Sequence, residues 1–528
     1  MHNFVDAMLT DKYQVSMGYA YWECGKHKDN AVFDLFIRNC PFKGEFAIFA
    51  GLEECLHYIE NFKITPEMIE VLRKDNPNCQ EGFWKYLSSV TAKDVTLRAI
   101  PEGSIIFPRT PLIEIEGPLA IVQLMETTLL NLINYATLVA TNAARLRLVA
   151  GFDVSLLEFG LRRAQGPNGG VSASKYCYLG GFDATSNYKA HELYGIPCKG
   201  THAHSFVTAF TSLDDIRQDK FSESTIKARD ILCRMFKLES TNDGELAAFI
   251  AYARAYPDGF LALVDTYDTL NSGVINFMAV AIALNEIGHK AIGMRLDSGD
   301  LAYLSKEVRK MLLHLSGKSV EYFRKSINLS KCTIVASNDI NEEVLEALDK
   351  QGHQINSFGI GTHAVTCQAQ PALGGVFKLV MINGKPVIKL SESIIKVTIP
   401  GRKQVFRLYN SNDNAVADIM LDYDEKAPQP EQKVICLDPF NQNKRVHIIP
   451  SQVGLLLQTY WQGQLTEKGR NLPSLTHIHD FVLSQLKTFQ PEHLRSSNPT
   501  PYTIGLSQVL HEQMQTLWHN AQTVKVIR

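Results

Sequence analysis

Between residues 156 and 363 the chain repeats one rhythm. A short, nearly continuous apolar run ends in a polar or glycine-rich tip, and a longer stretch with helical spacing follows. The runs are LLEFGLRR (156–163), FLALVDTY (260–267), AIGMRLDSGD (291–300), CTIVASND (332–339) and INSFGIGTH (355–363). Between them, NFMAVAIALNEIG (276–288), LAYLSKEVRKMLLHL (301–315) and NEEVLEALDKQG (341–352) place apolar residues three and four apart; the last starts on a capping sequence and stops at Gly352. Near-continuous apolar strands alternating with helices predict a parallel sheet, doubly wound or closed as a barrel. Functional residues of such a sheet belong at the carboxyl ends of its strands. Those ends read Arg-Arg, Asp-Thr-Tyr, Asp-Ser-Gly-Asp, Ser-Asn-Asp and Gly-Ile-Gly-Thr.

The flanking segments have other patterns. TPEMIEVLRK (65–74) predicts a helix capped by Thr65 with Pro66 at its first position. Residues 99–119 break into short β-type runs, and 121–151 form a long helical stretch. After about residue 370, Asn383-Gly384 between β-type runs signals a hairpin, and 423–433 and 491–500 predict exposed connections.

Composition narrows the function classes. With 528 residues the chain is too long for one ordinary domain, and 45% hydrophobic against 20% charged residues allow a large core. The net charge of −2 lacks the basic surplus of a nucleic-acid binder, so any anionic ligand must be met by a few local arginines or a metal ion. Ten cysteines without a CxxC pair fit reduced thiols, and no apolar run reaches the ~18 residues of a membrane span. The first residues, MHNFVDAMLTDKYQ, lack the apolar region of a signal peptide. A cytoplasmic protein with neither membrane nor nucleic-acid partners is expected.

Four stretches carry candidate chemistry. FGIGTH ends a strand with Gly359, Gly361 and Thr362, whose backbone and hydroxyl suit a phosphate; glycines there also serve simply to make a turn. MRLDSGD gathers Arg295, Asp297, Ser298 and Asp300, either an anion–cation site or a salt bridge at the sheet's mouth. Its two acids suit Mg²⁺ held largely through water. FGLRRAQG offers Arg162 and Arg163, which on a strand face opposite ways. GTHAHSF sets His202 and His204 two apart, on one face if extended. As HxH it is similar to the first metal ligands of amidohydrolase barrels, but the later histidines 289, 314 and 353 fall in predicted helices or turns. One functional imidazole, or a satisfied structural histidine, is the more economical reading.

Taken in order, LTDKYQ (9–14), FGLRRAQG (159–166), GTHAHS (200–205), RLDSGD (295–300) and FGIGT (358–362) closely resemble the nicotinate phosphoribosyltransferase family, in its long eukaryotic-type form. The two-Asp PRPP motif of type I phosphoribosyltransferases is missing, as in the type II class. The resemblance implies an irregular TIM-like α/β barrel with a second α+β domain built from N- and C-terminal segments. The expected division is 1–150 for the first part of the α+β domain with a connecting helix, 151–370 for the barrel and 371–528 for the segment that completes the second domain plus an extension. It also implies the reaction: nicotinate and 5-phosphoribosyl 1-pyrophosphate (PRPP) give nicotinate mononucleotide and pyrophosphate with ATP hydrolysis, formally a C–N ligation at the entry to NAD synthesis. Homodimers with shared active sites are implied as well, with Mg²⁺, or Mn²⁺ in its place, as cofactor.

By the same resemblance Tyr13 stacks on the pyridine ring from the neighbouring subunit, while Thr201 and Arg295 lie near nicotinate. Arg162 lies at the base and diphosphate end, His204 is phosphorylated by ATP, and Asp297 lies near ribose and magnesium. Gly361 with Thr362 cradles the 5-phosphate. Ser186 stands where the related nicotinamide enzyme has an Asp, which favours a carboxylate substrate. No role carries over to His202 or Arg163.

Overall fold

The computed structural model describes residues 4–441 and 443–521. The chain divides into two compact units, one of residues 145–178 and 182–366, the other of 1–144, 179–181 and 367–528.

The first unit is built on the alternating stretch. Its strands are β1 (Ser155–Glu158), β2 (Ala184–Thr185), β3 (Leu261–Leu263), β4 (Gly293–Leu296), β5 (Thr333–Ser337) and β6 (Ser357–Ile360). They form one parallel sheet in the order β2-β1-β6-β5-β4-β3. Apolar side chains bury both faces of the strands, as the continuous runs require: Leu156, Ala262, Met294, Ile334 and Ile360 are buried on one face, and Leu157, Leu263 and Val335 on the other. The register carries Leu157, Gly359 and Ser337 across the centre at one level, and Leu263, Arg295 and Val335 across the other side. The carboxyl tips therefore emerge together. Among the described residues no ladder joins β2 to β3, so the sheet is open there. Those two strands have only two and three residues, and helices fill much of the chain between them.

The helices follow the sequence signals. Asn341 caps Glu342–Gln351 through Val344 N–H, and Gly352 ends it at φ +68. The apolar stretch near 276 becomes Val274–Glu286, buried from Val274 through Leu284.

The other unit joins segments far apart in sequence. One six-stranded antiparallel sheet places Asn30–Ile37 between Gly375–Ile382 and Ile113–Pro118, with Gln458–Gln462 at an edge against Thr96–Ala99. The Asn383-Gly384 hairpin forms as expected, both residues at positive φ. Thr65 caps Pro66–Asp75 through Met68 N–H. The long helical stretch is broken at Met125 into Leu119–Leu124 and Glu126–Ala150. A second six-stranded sheet packs a core of Phe406, Leu408, Ile419 and Leu421. Pro491–Leu494 is a short helix where a connection is expected. Among the described residues no helix is long and apolar enough to cross a membrane.

Candidate active site at the strand tips

The geometry is organised by Asp297, one residue beyond β4. Its Oδ1 accepts a 2.5 Å hydrogen bond from Ser337 Oγ at the end of β5, and its backbone N–H donates to Asp265 Oδ2 at 3.0 Å. Its Oδ2 lies 3.8 Å from His204 Nε2 and 3.9 Å from Arg295 Nη2. One carboxylate is thus pinned on one oxygen and turned toward two cationic or potentially cationic groups with the other.

Arg295 points from β4 into the same place. Its Nη1 donates to Thr201 Oγ1 at 2.6 Å, and its Nε is buried without a partner. Burial pushes the guanidinium below its ordinary range; Asp297 and Asp265 draw it back, and the nearby Arg162 pushes it down further. Two guanidiniums within electrostatic reach, one holding a buried unmet donor, make a site that gains from an anion.

His204 is not on a strand. The extended reading of GTHAHSF gives way to irregular backbone through Ala203 and a short helix, His204–Thr208. The two imidazoles consequently part. His204 remains 43% accessible, with Nδ1 3.0 Å from Thr266 Oγ1 just past β3. His202 is buried among Phe206, Phe249 and Tyr252, where its Nε2 accepts from Leu263 N–H at 3.3 Å. It is a structural histidine held through Nε2 alone, its Nδ1 buried without a hydrogen-bond partner, and the pair does not form a metal site. Burial holds the His202 ring down to about 4. Since its unfolded value is near 6.5, the unfolded chain binds the proton first, and stability is lost as pH falls from 6.5 through 4, by roughly 3 kcal/mol in full. We expect His202→Gln to flatten the fall in thermal midpoint over that window, measured by calorimetry in parallel with the parent.

Arg162 and Arg163 likewise leave the strand. β1 ends at Glu158, and Leu161–Arg163 form one exposed 3-10 turn, so opposite strand faces do not separate them. The glycines beside them answer to packing. A Cβ on Gly160 would stand 2.4 Å from Val365 Cγ1, and one on Gly359 2.5 Å from the Phe159 ring. Close approach of the β1 and β6 tips requires both. Gly361 then leads into Thr362–Thr366, a single helical turn in which the Ala364 and Val365 N–H groups donate to the Gly361 carbonyl. Ser186 follows β2 directly, its N–H donating to Glu158 O at 3.0 Å. Tyr13 belongs to the other unit, 46% exposed on the helix Lys12–Glu23.

Asp300 caps the helix Leu301–Phe323, its Oδ1 taking Tyr303 N–H at 2.9 Å. The residue that sequence reading passed over is Asp265. Its Oδ2 holds both Asp297 N–H and Ser298 Oγ, while Oδ1 is buried with no partner. It stood in the Asp-Thr-Tyr tip, but only the ladder between β3 and β4 shows which acid it joins.

The comparisons agree over nearly the whole length. The nicotinate phosphoribosyltransferase (NAPRTase) N-terminal domain matches residues 8–134, the NAPRTase family 154–425 and the NAPRTase C-terminal domain 402–514. Nicotinate phosphoribosyltransferase 1 of Arabidopsis thaliana is 50% identical, covering 98% of this chain and 95% of its own. The crystal structure of human nicotinic acid phosphoribosyltransferase superposes with a TM-score of 0.84 at 40% identity, over 96% of this chain and 99% of that one. A nicotinate-nucleotide pyrophosphorylase from Pyrococcus furiosus shares the fold, with a TM-score of 0.59 at 21% identity over 91% and 95%. With its domain matches, relatives and polar strand tips in accord, the chain belongs to the nicotinate phosphoribosyltransferase family.

Proposed function

We propose that this chain transfers the phosphoribosyl group of PRPP to the ring nitrogen of nicotinate, coupled to ATP hydrolysis, as the first step of NAD synthesis from nicotinate. The observation that carries this reading is the single cluster of Thr201, His204, Arg295 and Asp297 in a family member. Nicotinate is a flat ring with one carboxylate. Arg295, with its buried unmet Nε–H and its bond to Thr201, suits that carboxylate. Ser186 adds no negative charge to oppose it, and Tyr13 of a partner subunit in a homodimer would hold the ring flat.

In the transfer the C1–O bond breaks with its electron pair leaving on pyrophosphate, and the pyridine nitrogen's lone pair forms the C1–N bond. Positive charge develops on the sugar, where Asp297 is suited to it, and Arg162 meets the diphosphate's negative charge. Thr362 and Gly361 would hold the 5-phosphate at the turn that opens a helix. Asp265 and Asp297 fit a Mg²⁺ ion, because Asp265 Oδ1 is a buried carboxylate oxygen without a donor. Mg²⁺ bound there supplies charge neutralisation to the diphosphate. Asp300, one oxygen of which is engaged as a cap, would contribute to holding the ion only through water. The parallel sheet is read as part of an irregular α/β barrel with its mouth at these tips, and the scattered, mostly buried cysteines suit a reducing, cytoplasmic setting.

The test is an assay of nicotinate or nicotinamide with PRPP, with and without ATP, followed for mononucleotide and phosphate. Nicotinate turnover enhanced by ATP is expected; no mononucleotide from nicotinate under any condition overturns the reading. Arg295→Ala is expected to lower kcat/KM for nicotinate about 10- to 100-fold, the loss of a hydrogen bond to a charged group. A value equal to the parent's removes Arg295 from the nicotinate pocket.

A further inference from the structure

Behind the strand tips lies a buried acid that the reaction does not use. Glu158, the last residue of β1, is 1% exposed. Its Oε1 accepts from Gly160 N–H, and its Oε2 accepts from Ser174 Oγ at 2.7 Å and Thr185 Oγ1 at 2.6 Å. No ion pair to it is present among the described residues. A carboxylate buried with donors but no counter-charge costs more than a neutral side chain that merely fills the space. What it offers in return is two oxygens that only accept. It can take the turn's N–H and both hydroxyl protons at once.

That choice fixes direction through the next layer. Thr185 and Ser174, having donated to Glu158, present lone pairs to Asn187, whose N–H donates to Thr185 Oγ1 at 3.0 Å and whose side-chain amide donates to Ser174 Oγ at 3.1 Å. The Asn187 Oδ1 left over caps the following helix. Ser186 sits between the two anchored residues, and its own N–H is held by the Glu158 carbonyl. At the other end, Gly160 begins the turn that carries Arg162.

We infer that Glu158 is a positioning residue that registers the Arg162 turn against the Ser186 tip, so that the diphosphate grip and the base pocket share one anchor. The inference rests on the proposed function. Both sites shift together when the anchor fails, and neither can be tuned alone through it.

The test compares Glu158→Gln, Thr185→Val and Thr185→Ser with the parent in steady-state kinetics, with folding checked by circular dichroism and thermal midpoint. The Glu158→Gln change keeps the shape but brings an NH₂ that cannot accept, and Thr185→Val deletes one hydroxyl. Each is expected to raise KM for nicotinate and for PRPP together, at least fivefold, with kcat changed less; Thr185→Ser, which restores the hydroxyl, brings both KM values back within twofold. A merely structural role lowers the active fraction and hence kcat while leaving both KM values alone. That result overturns the inference, as does a rise in only one KM. If either disruptive variant fails to fold, Ser174→Ala deletes one donor of three and gives the same readout. A parent without transfer activity overturns the proposed function and this inference with it, whereas an active parent with parent-like variants overturns the inference alone.

Discussion

Asp297→Asn is expected to lower kcat by on the order of 10²–10³-fold, the range seen when one preorganised electrostatic partner of a transition state is removed. The substitution is chosen for what it keeps. An asparagine Oδ1 still accepts from Ser337 Oγ, and the backbone N–H still reaches Asp265, so the loop after β4 stays in register. What disappears is one negative charge, which in the proposed transfer would stand beside the developing positive charge of the sugar. His204 and Arg295, both within 4 Å of Oδ2, lose the same partner. Nicotinate binds chiefly through Arg295 and Thr201 in this reading, so its KM should move far less than kcat. Steady-state kinetics at saturating PRPP, with the thermal midpoint as a control, decide it. A kcat within threefold of the parent in a folded protein removes Asp297 from the reacting centre.

The cluster around Asp297 shows how far the chain could be read beforehand. Long periodic segments and punctuation residues were legible: Asn341 and Gly352 bound their helix, Asn383-Gly384 turns its hairpin, and five apolar runs became parallel strands. Their tips were marked as the functional edge because strand polarity alone places them together. Local backbone at those tips was not legible. Two histidines two apart share a face only if extended, and the short helix at His204 turns one toward Asp297 while His202 goes into an aromatic core. The adjacent arginines lie on a 3-10 turn whose geometry is set by Gly160 packing on Val365, a contact 205 residues away in sequence. Asp265 needed the sheet register to reveal its link to Asp297, since nothing near it in sequence distinguishes it from Asp268, which caps its own turn. Openness between β2 and β3 likewise follows from how few residues those strands pair, which apolar patterning does not encode.

His204→Ala is expected to abolish ATP stimulation while leaving a slow, ATP-independent transfer. The imidazole's placement supports a phosphoryl acceptor rather than a structural ring: nearly half of the side chain is accessible, yet Thr266 fixes its orientation through Nδ1. Phosphorylation would put about two negative charges and three acceptor oxygens beside Asp297. Next to that carboxylate the new charge is unfavourable unless cations gather, and Arg295, Arg162 and Mg²⁺ are the groups at hand. Phosphorylated enzyme should therefore draw the arginines and the metal into the geometry that PRPP needs, which is how ATP hydrolysis would be coupled to tighter sugar-diphosphate binding. Alanine removes the acceptor but none of the groups assigned to bond cleavage, so the basal reaction survives. Two measurements check this together. The ratio of rates with and without ATP should fall to near one, and label from γ-phosphate-labelled ATP should enter the parent as an acid-labile adduct but not the variant. Equal ATP stimulation in parent and variant would refute the assignment, and persistent acid-labile labelling of the variant would move the phosphoryl group to another residue.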